Sequence, residues 1–176
     1  MKMSFGEKLR SIFDDPEEEI RAFGVASDQT VVDVGAGFGY FTIPAAEAVG
    51  AKGLVYSVEP DPERHRRIVS RVEGEGLANV HVVNAKAEEM KEIPDGSVDL
   101  AFTVNAMHHF EDKGRGLLEI RRILRDGGSL YIRDFIRGLI FRHGTRREEV
   151  GILSEVGFSK VEILELGRYL KARLTK

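Results

Sequence analysis

Hydrophobic positions along the chain form short apolar runs that are separated by longer segments with helical spacing. The runs predict strands at 30–34, 53–58, 79–83 and 98–104, then the segment SLYIRDF at 129–135, and two closing strands at about 159–166 and 168–174. The run VDLAFTV at 98–104 is continuous and apolar, which is typical of a parallel strand that is buried on both faces.

The segments between these runs have the periodicity of amphipathic helices. Helices are predicted at 5–13, 16–24, 39–49, 112–125 and 145–156, and a further helix is capped by Asp61 with Pro62 in its first position. Residues 85–91 are predicted as a short helical turn or loop, and the DGG segment at 126–128 as the turn into the fifth strand. The apolar side of the helix at 112–125 is predicted to consist of Leu117, Leu118, Ile120, Ile123 and Leu124.

The alternation of strands and helices predicts an α/β fold with a mostly parallel sheet that helices cover on both faces. Ligands of such sheets bind beyond the carboxyl ends of the strands, where the strand order reverses, so the functional residues are expected in the loops after the first four strands. The length of 176 residues predicts one domain over 1–176, with an N-terminal helical segment at 1–29 and a core at 30–176.

The composition excludes several kinds of site. The chain has no cysteine, which excludes disulfides, thiolate metal sites and cysteine nucleophiles. Hydrophobic residues make up 42% and charged residues 31%, as in ordinary globular proteins, and no apolar run is long enough to span a bilayer. The first residues lack the apolar region of a signal peptide, so a cytoplasmic location is predicted.

Charge is distributed unevenly along the chain. Residues 1–112 contain 11 Lys/Arg and 21 Asp/Glu, whereas residues 113–176 contain 15 Lys/Arg and 8 Asp/Glu. The basic second half, including the arginines near 133–147, is either a solvated surface or a binding surface for an anionic substrate or partner. Nucleic-acid binding is not indicated, because no basic block is long or interleaved with aromatic residues.

The segment VVDVGAGFGYFTIPAA at 31–46 combines a strand, a turn with three glycines and the start of a helix, as many nucleotide-binding sites do. A P-loop requires Gly-Lys-Ser/Thr after its glycines, but Gly39 is followed by Tyr40 and Phe41. A dinucleotide fingerprint requires its third glycine at the position that Tyr40 occupies. These residues exclude a P-loop and disfavour a dinucleotide-dependent oxidoreductase.

Two acidic residues stand at strand ends. Asp33 lies in an otherwise apolar run two residues before the first glycine, where a carboxylate without donors would be costly. Glu59 ends the second strand, where a carboxylate can accept both hydroxyls of a ribose. The sequence therefore predicts a nucleoside site between these strand ends.

Several motifs, in order, resemble those of the class I S-adenosylmethionine-dependent methyltransferases, and the pattern is similar to the ubiquinone/menaquinone-biosynthesis-type branch. They are DVGAGFG at 33–39, Glu59 at the second strand end, PDGSVD at 94–99, EIRRILRDGG at 119–128 and the late Gly157-Phe158. Val98 replaces the usual aromatic residue and Asp126 the usual proline. The resemblance implies a Rossmann-like, doubly wound α/β fold, a three-layer sandwich whose seven-stranded, mostly parallel sheet has an antiparallel last strand.

The resemblance also implies S-adenosyl-L-methionine as cofactor and S-adenosyl-L-homocysteine as product. By match, Asp33 would lie near the amino group of the cofactor, and Glu59 would bind the ribose hydroxyls. The remaining cofactor-binding positions are the loop residues Gly35, Ala36, Gly37 and Phe38, the adenine neighbours Pro60 and Asp61, and Asn105 and Ala106 after strand four. Tyr40, Phe38 and Phe41 are expected either to line the methyl pocket or to pack the following helix.

The adenine contact after strand three departs from the family pattern. Matching the family's Ala-Glu to Ala87-Glu88 places Lys86 where an acidic residue is usual, and lysine cannot accept a hydrogen bond. Either Ala87 and a neighbour bind the adenine, or Asn84 does. Lys86 and Ala87 are both included among the predicted cofactor-binding residues.

His108 and His109 are the candidate catalytic residues, since they follow strand four at the border between cofactor and substrate in the family. A structural role, with one histidine packed and one capping, is the alternative. No third ligand stands at a recognisable spacing, so no metal site is predicted.

The sequence therefore predicts a methyltransferase that acts by in-line displacement on a small-molecule acceptor, and a homodimer is a further possibility. The alternatives are a non-catalytic cofactor-binding module or partner subunit, and an RNA or protein methyltransferase. Nucleic acid is supported only by the basic second half, and the acceptor motif N/D-P-P-Y/F does not occur.

Overall fold

The computed structural model describes residues 15–135, 146–166 and 169–176. The strands are β1 (Thr30–Val34), β2 (Leu54–Val58), β3 (Val80–Val83), β4 (Val98–Val104), β5 (Leu124–Phe135), β6 (Lys160–Leu166) and β7 (Tyr169–Thr175). The helices are α1 (Pro16–Phe23), α2 (Thr42–Val49), α3 (Pro62–Gly74), α4 (Lys113–Ile123) and α5 (Arg146–Glu155), with a 3₁₀ turn at Met107–His109. The predicted helix at 5–13 lies outside the described residues.

The seven strands form one sheet in the order β3-β2-β1-β4-β5-β7-β6. Strands β1 to β5 pair in parallel, and β7 is antiparallel to both of its neighbours, β5 and β6. This confirms the predicted doubly wound sheet with its antiparallel last strand. The order reverses between β1 and β4, which opens a crevice at their carboxyl ends.

Helices cover both faces of the sheet, and each face has its own core. Val31 of β1 and Phe102 of β4 pack with α1 and α2 on one face. Val32 and Ala101, the next residue on β1 and the preceding one on β4, pack with α4 and α5 on the other face. Successive strand residues point to opposite faces, so these continuous apolar runs serve two cores and confirm the three-layer arrangement.

Helix α1 is fastened against the sheet by aromatic and polar contacts. Phe23 is 1% exposed, and its ring centroid lies 4.2 Å from that of Tyr131 and 5.4 Å from that of Phe102. Arg173 of β7 donates to the carbonyl oxygens of Ala22 and Phe23 at 3.3 and 3.1 Å, at the end of the helix. This part of the N-terminal segment therefore belongs to the core of the sheet.

Three local predictions were wrong in detail. Helix α2 begins at Thr42 rather than near 39, because the glycine turn continues to Phe41 and Gly39 has a φ of +73°. Leu118 is 52% exposed, because it lies about 100° around the helix from the buried Leu117. The DGG turn falls inside β5 as a bulge. Leu124 pairs with Val98 and Ser129 pairs with Leu100, so the four residues 125–128 of β5 lie opposite the single residue Asp99 of β4.

None of the helices within the described residues is both long and apolar enough to cross a bilayer.

Candidate functional site

A cavity of about 530 Å³ lies at the carboxyl ends of β1, β2 and β4, beside the loop after β3. Twelve of the residues predicted for the site line it: Asp33, Gly35, Ala36, Gly37, Phe38, Glu59, Pro60, Lys86, Ala87, Asn105, Ala106 and His109. The side chains of Asp61 and His108 are outside this lining. Tyr40 and Phe41, which were predicted either to line the methyl pocket or to pack the following helix, also line the cavity. The lining further includes residues without a predicted site role: Val58, Arg64, Ala85, Glu88, Val104, Phe110 and Glu111.

The glycine turn brings its backbone against the end of β4. Gly35 has a φ of +80°, and a Cβ there would overlap the Cβ of Ala106. Gly37 has a φ of +62°, and a Cβ there would meet no heavy atom within 4 Å. The two glycines therefore serve different purposes: Gly35 permits a close contact within the protein, while Gly37 leaves backbone open to the cavity.

The turn is held in place by its neighbours. The N–H groups of Gly35 and Ala36 both donate to the Val58 carbonyl oxygen, at 2.9 and 3.0 Å. From α3, Arg71 Nη1 donates to the Phe38 carbonyl oxygen at 2.7 Å. The turn thus has a fixed shape before any ligand binds.

Phe38 lies half-buried at the wall of the cavity, with two cations near its ring. The guanidinium carbon atoms of Arg64 and Arg67 lie 5.5 and 5.4 Å from the ring centroid, within the range of cation–π attraction. Tyr40 and Phe41 also line the cavity but are 9% and 5% exposed and pack in the core with α1, so both predicted roles are compatible with their position.

Glu59 is 3% exposed, and each of its carboxylate oxygens holds a backbone group. Oε2 accepts the N–H of Gly37 at 2.8 Å, and Oε1 accepts the N–H of Asp61 at 3.0 Å. A carboxylate has about four acceptor positions, so two remain. Glu59 therefore ties the glycine turn to α3 and keeps capacity for two more donors in the cavity.

Asp33 is also 3% exposed, beneath the glycine turn. Thr42 Oγ1 donates to Asp33 Oδ2 at 2.7 Å, and the Thr42 hydroxyl also lies 3.0 Å from that of Ser57. Burial raises the pKa of Asp33 from 3.8 to about 7; the Thr42 hydrogen bond opposes this rise, and the neighbouring charge of Glu59 adds to it. A cation bound in the cavity would favour the ionised carboxylate.

Asn105 follows β4 in the left-handed backbone conformation, with a φ of +51°. Its N–H donates to the Arg133 carbonyl oxygen at 2.8 Å, which fixes the residue at the crevice. Among the described residues, its buried side-chain oxygen Oδ1 has no hydrogen-bond partner. An unsatisfied buried acceptor beside a cavity is a position where a ligand can donate a hydrogen bond.

The adenine end predicted for the cavity holds a surface ion pair. Lys86 Nζ donates to Glu111 Oε1 at 2.7 Å, and this carboxylate holds the pKa of Lys86 above its ordinary value. Asn84 does not line the cavity; its amide donates to the carbonyl oxygens of Glu59 and Pro60 at 2.8 and 3.1 Å. The structure thus places Lys86 and Ala87, rather than Asn84, at the wall of the cavity.

Asp61 caps α3 instead of facing the cavity. Its Oδ1 accepts the N–H groups of Glu63 and Arg64 at 2.9 Å each, and these bonds, the one from Arg64 foremost, hold the pKa of Asp61 below its ordinary value. The predicted cap is confirmed. The predicted contact between Asp61 and the cofactor stays a prediction, with the backbone N–H of Asp61 already bound to Glu59.

The two histidines of the 3₁₀ turn are placed differently. His109 lines the cavity, whereas the His108 ring turns to β5, where Nδ1 lies 2.6 Å from Asp134 Oδ1. Asp134 Oδ2 accepts the backbone N–H of His108 at 2.7 Å. Asp134 had no predicted role, although it is a carboxylate within an apolar strand, the same signal that identified Asp33.

The other matched motifs join the fold rather than line the cavity. Arg122 of α4 donates to both carboxylate oxygens of Glu119 at 2.8 Å, to the carbonyl oxygens of Met90 and Ile93, and to Asp95. The pKa of Glu119 is lowered chiefly by the hydrogen bond from Arg122. We refer to Glu119, Arg122 and Asp95 as the Arg122 cluster; it fastens the PDGSVD turn to α4.

Several basic residues of the second half contact other parts of the fold. Arg133 is 3% exposed, and its Nη1 lies 3.3 Å from Oε1 of Glu19 on α1. Arg125 Nε donates to Asp99 Oδ1 at 2.6 Å. Arg121 donates to the Gly157 carbonyl oxygen at 2.9 Å. These contacts assign structural roles to Arg121, Arg125 and Arg133. Arg137 and Arg142 of the predicted basic surface lie outside the described residues, so a binding surface for an anionic partner stays a prediction.

Comparison with known proteins identifies the family of the chain. A family model described as a methyltransferase domain matches residues 32–132. The ubiquinone/menaquinone biosynthesis C-methyltransferase UbiE of Vibrio vulnificus is 30% identical over 113 residues, which are 64% of this chain and 43% of that protein. The chain therefore spans less than half the length of this relative.

Two further relatives cover more of the chain. A probable cobalt-precorrin-6B C(15)-methyltransferase (decarboxylating) of Sulfurisphaera tokodaii is 25% identical over 155 residues, 85% of this chain and 75% of that protein. The crystal structure of a SAM-dependent methyltransferase from Aquifex aeolicus superposes with a TM-score of 0.77 and 27% identity, over 99% of this chain and 98% of that one. With more than half of the chain matched by the family model, the chain belongs to the methyltransferase domain family, as a class I S-adenosylmethionine-dependent member similar to the ubiquinone/menaquinone biosynthesis branch.

Proposed function

We propose that the cavity binds S-adenosylmethionine and that the protein transfers the methyl group of this cofactor to a small-molecule acceptor. The observation that carries the proposal is the Glu59 carboxylate. It is almost fully buried at the cavity, its two oxygens are held by backbone N–H groups, and it keeps acceptor capacity that suits the two hydroxyls of a ribose.

The rest of the cavity fits the remaining parts of such a cofactor. A volume of about 530 Å³ is in the usual range for small-molecule sites. Asp33 and the unpartnered Asn105 Oδ1 lie toward the β1–β4 end, where they suit the ammonium group of the methionine part. Lys86, Ala87 and Glu111 lie toward the β2–β3 end, where their donors and acceptors suit the edge of an adenine ring.

The cofactor would supply a methyl group that its sulfonium already activates, so the chain's residues need chiefly to hold the two reactants in line. Orientation of this kind contributes about 7–11 kcal/mol to lowering a barrier. The preformed glycine turn and the fixed Glu59 are suited to that task, since both are ordered by protein contacts alone.

A small-molecule acceptor is supported by two relatives whose names describe C-methyltransferases of ubiquinone/menaquinone biosynthesis and of cobalt-precorrin-6B. The engagement of Arg121, Arg125 and Arg133 within the fold gives no support to a nucleic-acid acceptor. A screen with methyl-labelled cofactor against pools of metabolites, tRNA and protein decides between these acceptor classes.

Calorimetry with S-adenosylhomocysteine tests the cofactor site. We expect Glu59→Gln to weaken binding at least about tenfold, a loss of about 1.4 kcal/mol, because the amide has lost an acceptor oxygen for the ribose. The matched control is Glu63→Gln on the exposed side of α3, which should leave affinity unchanged.

No binding by the wild-type protein, or equal affinity of the Glu59 variant, would overturn the proposed site. Binding without transfer to any pool would instead identify a non-catalytic cofactor-binding module.

A further inference from the structure

The strongest unexplained feature beside the cavity is the contact between His108 and Asp134. The side chain of His108 is 22% exposed and that of Asp134 is 6% exposed, with 2.6 Å between Nδ1 and Oδ1. Both carboxylate oxygens are engaged with the same residue, because Oδ2 accepts the His108 backbone N–H at 2.7 Å. Two bonds from one carboxylate fix both the turn and the ring.

This pair of contacts defines which ring nitrogen of neutral His108 carries the proton. Asp134 is an acceptor at both oxygens when ionised, so Nδ1 must donate and Nε2 is left as the basic nitrogen. No hydrogen bond to Nε2 occurs among the described residues. A buried carboxylate that orients an imidazole in this way also stabilises the imidazolium that forms when Nε2 takes a proton.

The position of the pair relative to the cavity is set by the sheet order. Glu59 and Lys86 place the nucleoside end of the cavity over β2 and β3, so the methyl end lies toward β1 and β4. His108 follows β4, and Asp134 lies near the carboxyl end of β5, which is the neighbour of β4 in the sheet. His109 lines the cavity, and its ring centroid is 4.0 Å from that of His108, so the pair adjoins the cavity wall.

We propose that His108 is the general base of the methyl transfer, that Asp134 is its positioning residue, and that the acceptor is a nucleophile that loses a proton on methylation, such as a phenolic or enolic hydroxyl. This inference rests on the proposed function. The acceptor oxygen or carbon forms a bond to the methyl carbon as the sulfur–carbon bond breaks. The bonding pair stays on sulfur, and the proton of the acceptor moves to Nε2 of His108.

Nitrogen-15 NMR of the histidine rings tests the tautomer directly, since the chain contains five histidines and His108→Asn assigns the signal. We expect neutral His108 to carry its proton on Nδ1. In Asp134→Asn, the amide oxygen is retained by the backbone N–H, so the amide NH₂ faces Nδ1 and the proton moves to Nε2. His81→Gln, at an exposed position on β3, is the matched control and should leave the His108 signals unchanged.

A proton on Nε2 in the wild-type protein, or an unaltered tautomer in Asp134→Asn, would overturn the assignment of Asp134 as the positioning residue.

The second measurement is the rate of methyl transfer by His108→Asn to the acceptor pool that the labelled-cofactor screen identifies. Turnover should fall by about 100-fold or more while the affinity for S-adenosylhomocysteine stays within about twofold of wild type, because the variant loses the base and keeps the cavity. Unchanged turnover would overturn the base role alone. Absence of binding by calorimetry would overturn the proposed function and the base role together.

Discussion

Two regions of the molecule match family motifs but have different roles. One is the glycine turn together with Glu59, and the other is the Arg122 cluster. The glycine turn and Glu59 line the cavity, and Glu59 uses two of its acceptor positions on backbone and keeps the others. None of the three residues of the Arg122 cluster lines the cavity. A motif shared by a family can therefore record a ligand contact in one region and a folding contact in another.

The difference lies in how each polar group is satisfied. A guanidinium has five N–H donors, and Arg122 makes five hydrogen bonds inside the protein, so nothing remains for a ligand. Glu59 and Asn105 keep acceptor capacity at the cavity. Remaining hydrogen-bonding capacity, rather than the match to a family motif, separates the two kinds of residue.

Among the predicted changes in stability, the largest is expected from Gly35→Ala in the glycine turn. Its Cβ would overlap that of Ala106 at a φ of +80°, so we expect a loss of about 3 kcal/mol in the free energy of unfolding. Gly37→Ala, in open space at a φ of +62°, should cost only about 1 kcal/mol. Urea denaturation measures both, and equal stability of the two variants would contradict the assigned close contact.

An intermediate effect is expected from Arg122→Leu, which removes the centre of the Arg122 cluster and leaves Glu119 without its cation. The variant should lose about 2 kcal/mol of stability, because several hydrogen bonds to a half-buried charge are lost together. Its affinity for S-adenosylhomocysteine should stay within about twofold of wild type. Arg121→Leu, which loses one hydrogen bond to Gly157, is the neighbouring control.

Urea denaturation and calorimetry on the same samples separate the two regions. If Arg122→Leu lost much of its affinity for S-adenosylhomocysteine and kept its free energy of unfolding, the Arg122 cluster would belong to the binding site and not to the fold alone.

The smallest effect, when it is expressed per pH unit, concerns Asp33, whose pKa is raised by burial from 3.8 to about 7 in the folded protein. Between these values the folded state holds a proton that the unfolded state has lost, so stability is greatest below about pH 4 for this group and falls as pH rises toward 7. The slope is at most about 1.4 kcal/mol per pH unit. Asp33→Asn keeps the shape of the side chain and removes this slope.

Urea denaturation at a series of pH values compares the two proteins. Parallel stability curves for wild type and Asp33→Asn would show that Asp33 is ionised in the folded protein throughout the range.

Much of the fold follows from local pattern. The strand at 30–34, the strand at 98–104 and the cap of α3 by Asp61 agree with the structure because apolar runs and capping residues act over a few neighbours. The start of α2 was misplaced because positive φ values extend the turn beyond the point where helical periodicity begins. Leu118 was misassigned because a wide apolar stripe does not say which of two adjacent leucines meets the sheet.

Site residues whose partners are close in the sequence were easier to predict than those whose partners are distant in the sequence. Gly35, Ala36 and Gly37 occupy one turn, so sequence placed them together before the structure did. Asp134 was given no site role because its partner His108 is 26 residues away and meets it only through the pairing of β4 with β5. Glu111 was missed for the same reason, since its partner Lys86 is 25 residues away along the chain.

The sequence by itself determined the alternation of strands and helices, the glycine turn and the acidic residue that follows β2. These depend on periodicity and on side-chain chemistry over short stretches. Only the tertiary structure decided which polar groups are used up and which keep free capacity. Packing brings together donors and acceptors that are far apart in the chain. It satisfies Arg122 within the fold, leaves Glu59 with acceptor capacity at the cavity and pairs Asp134 with His108.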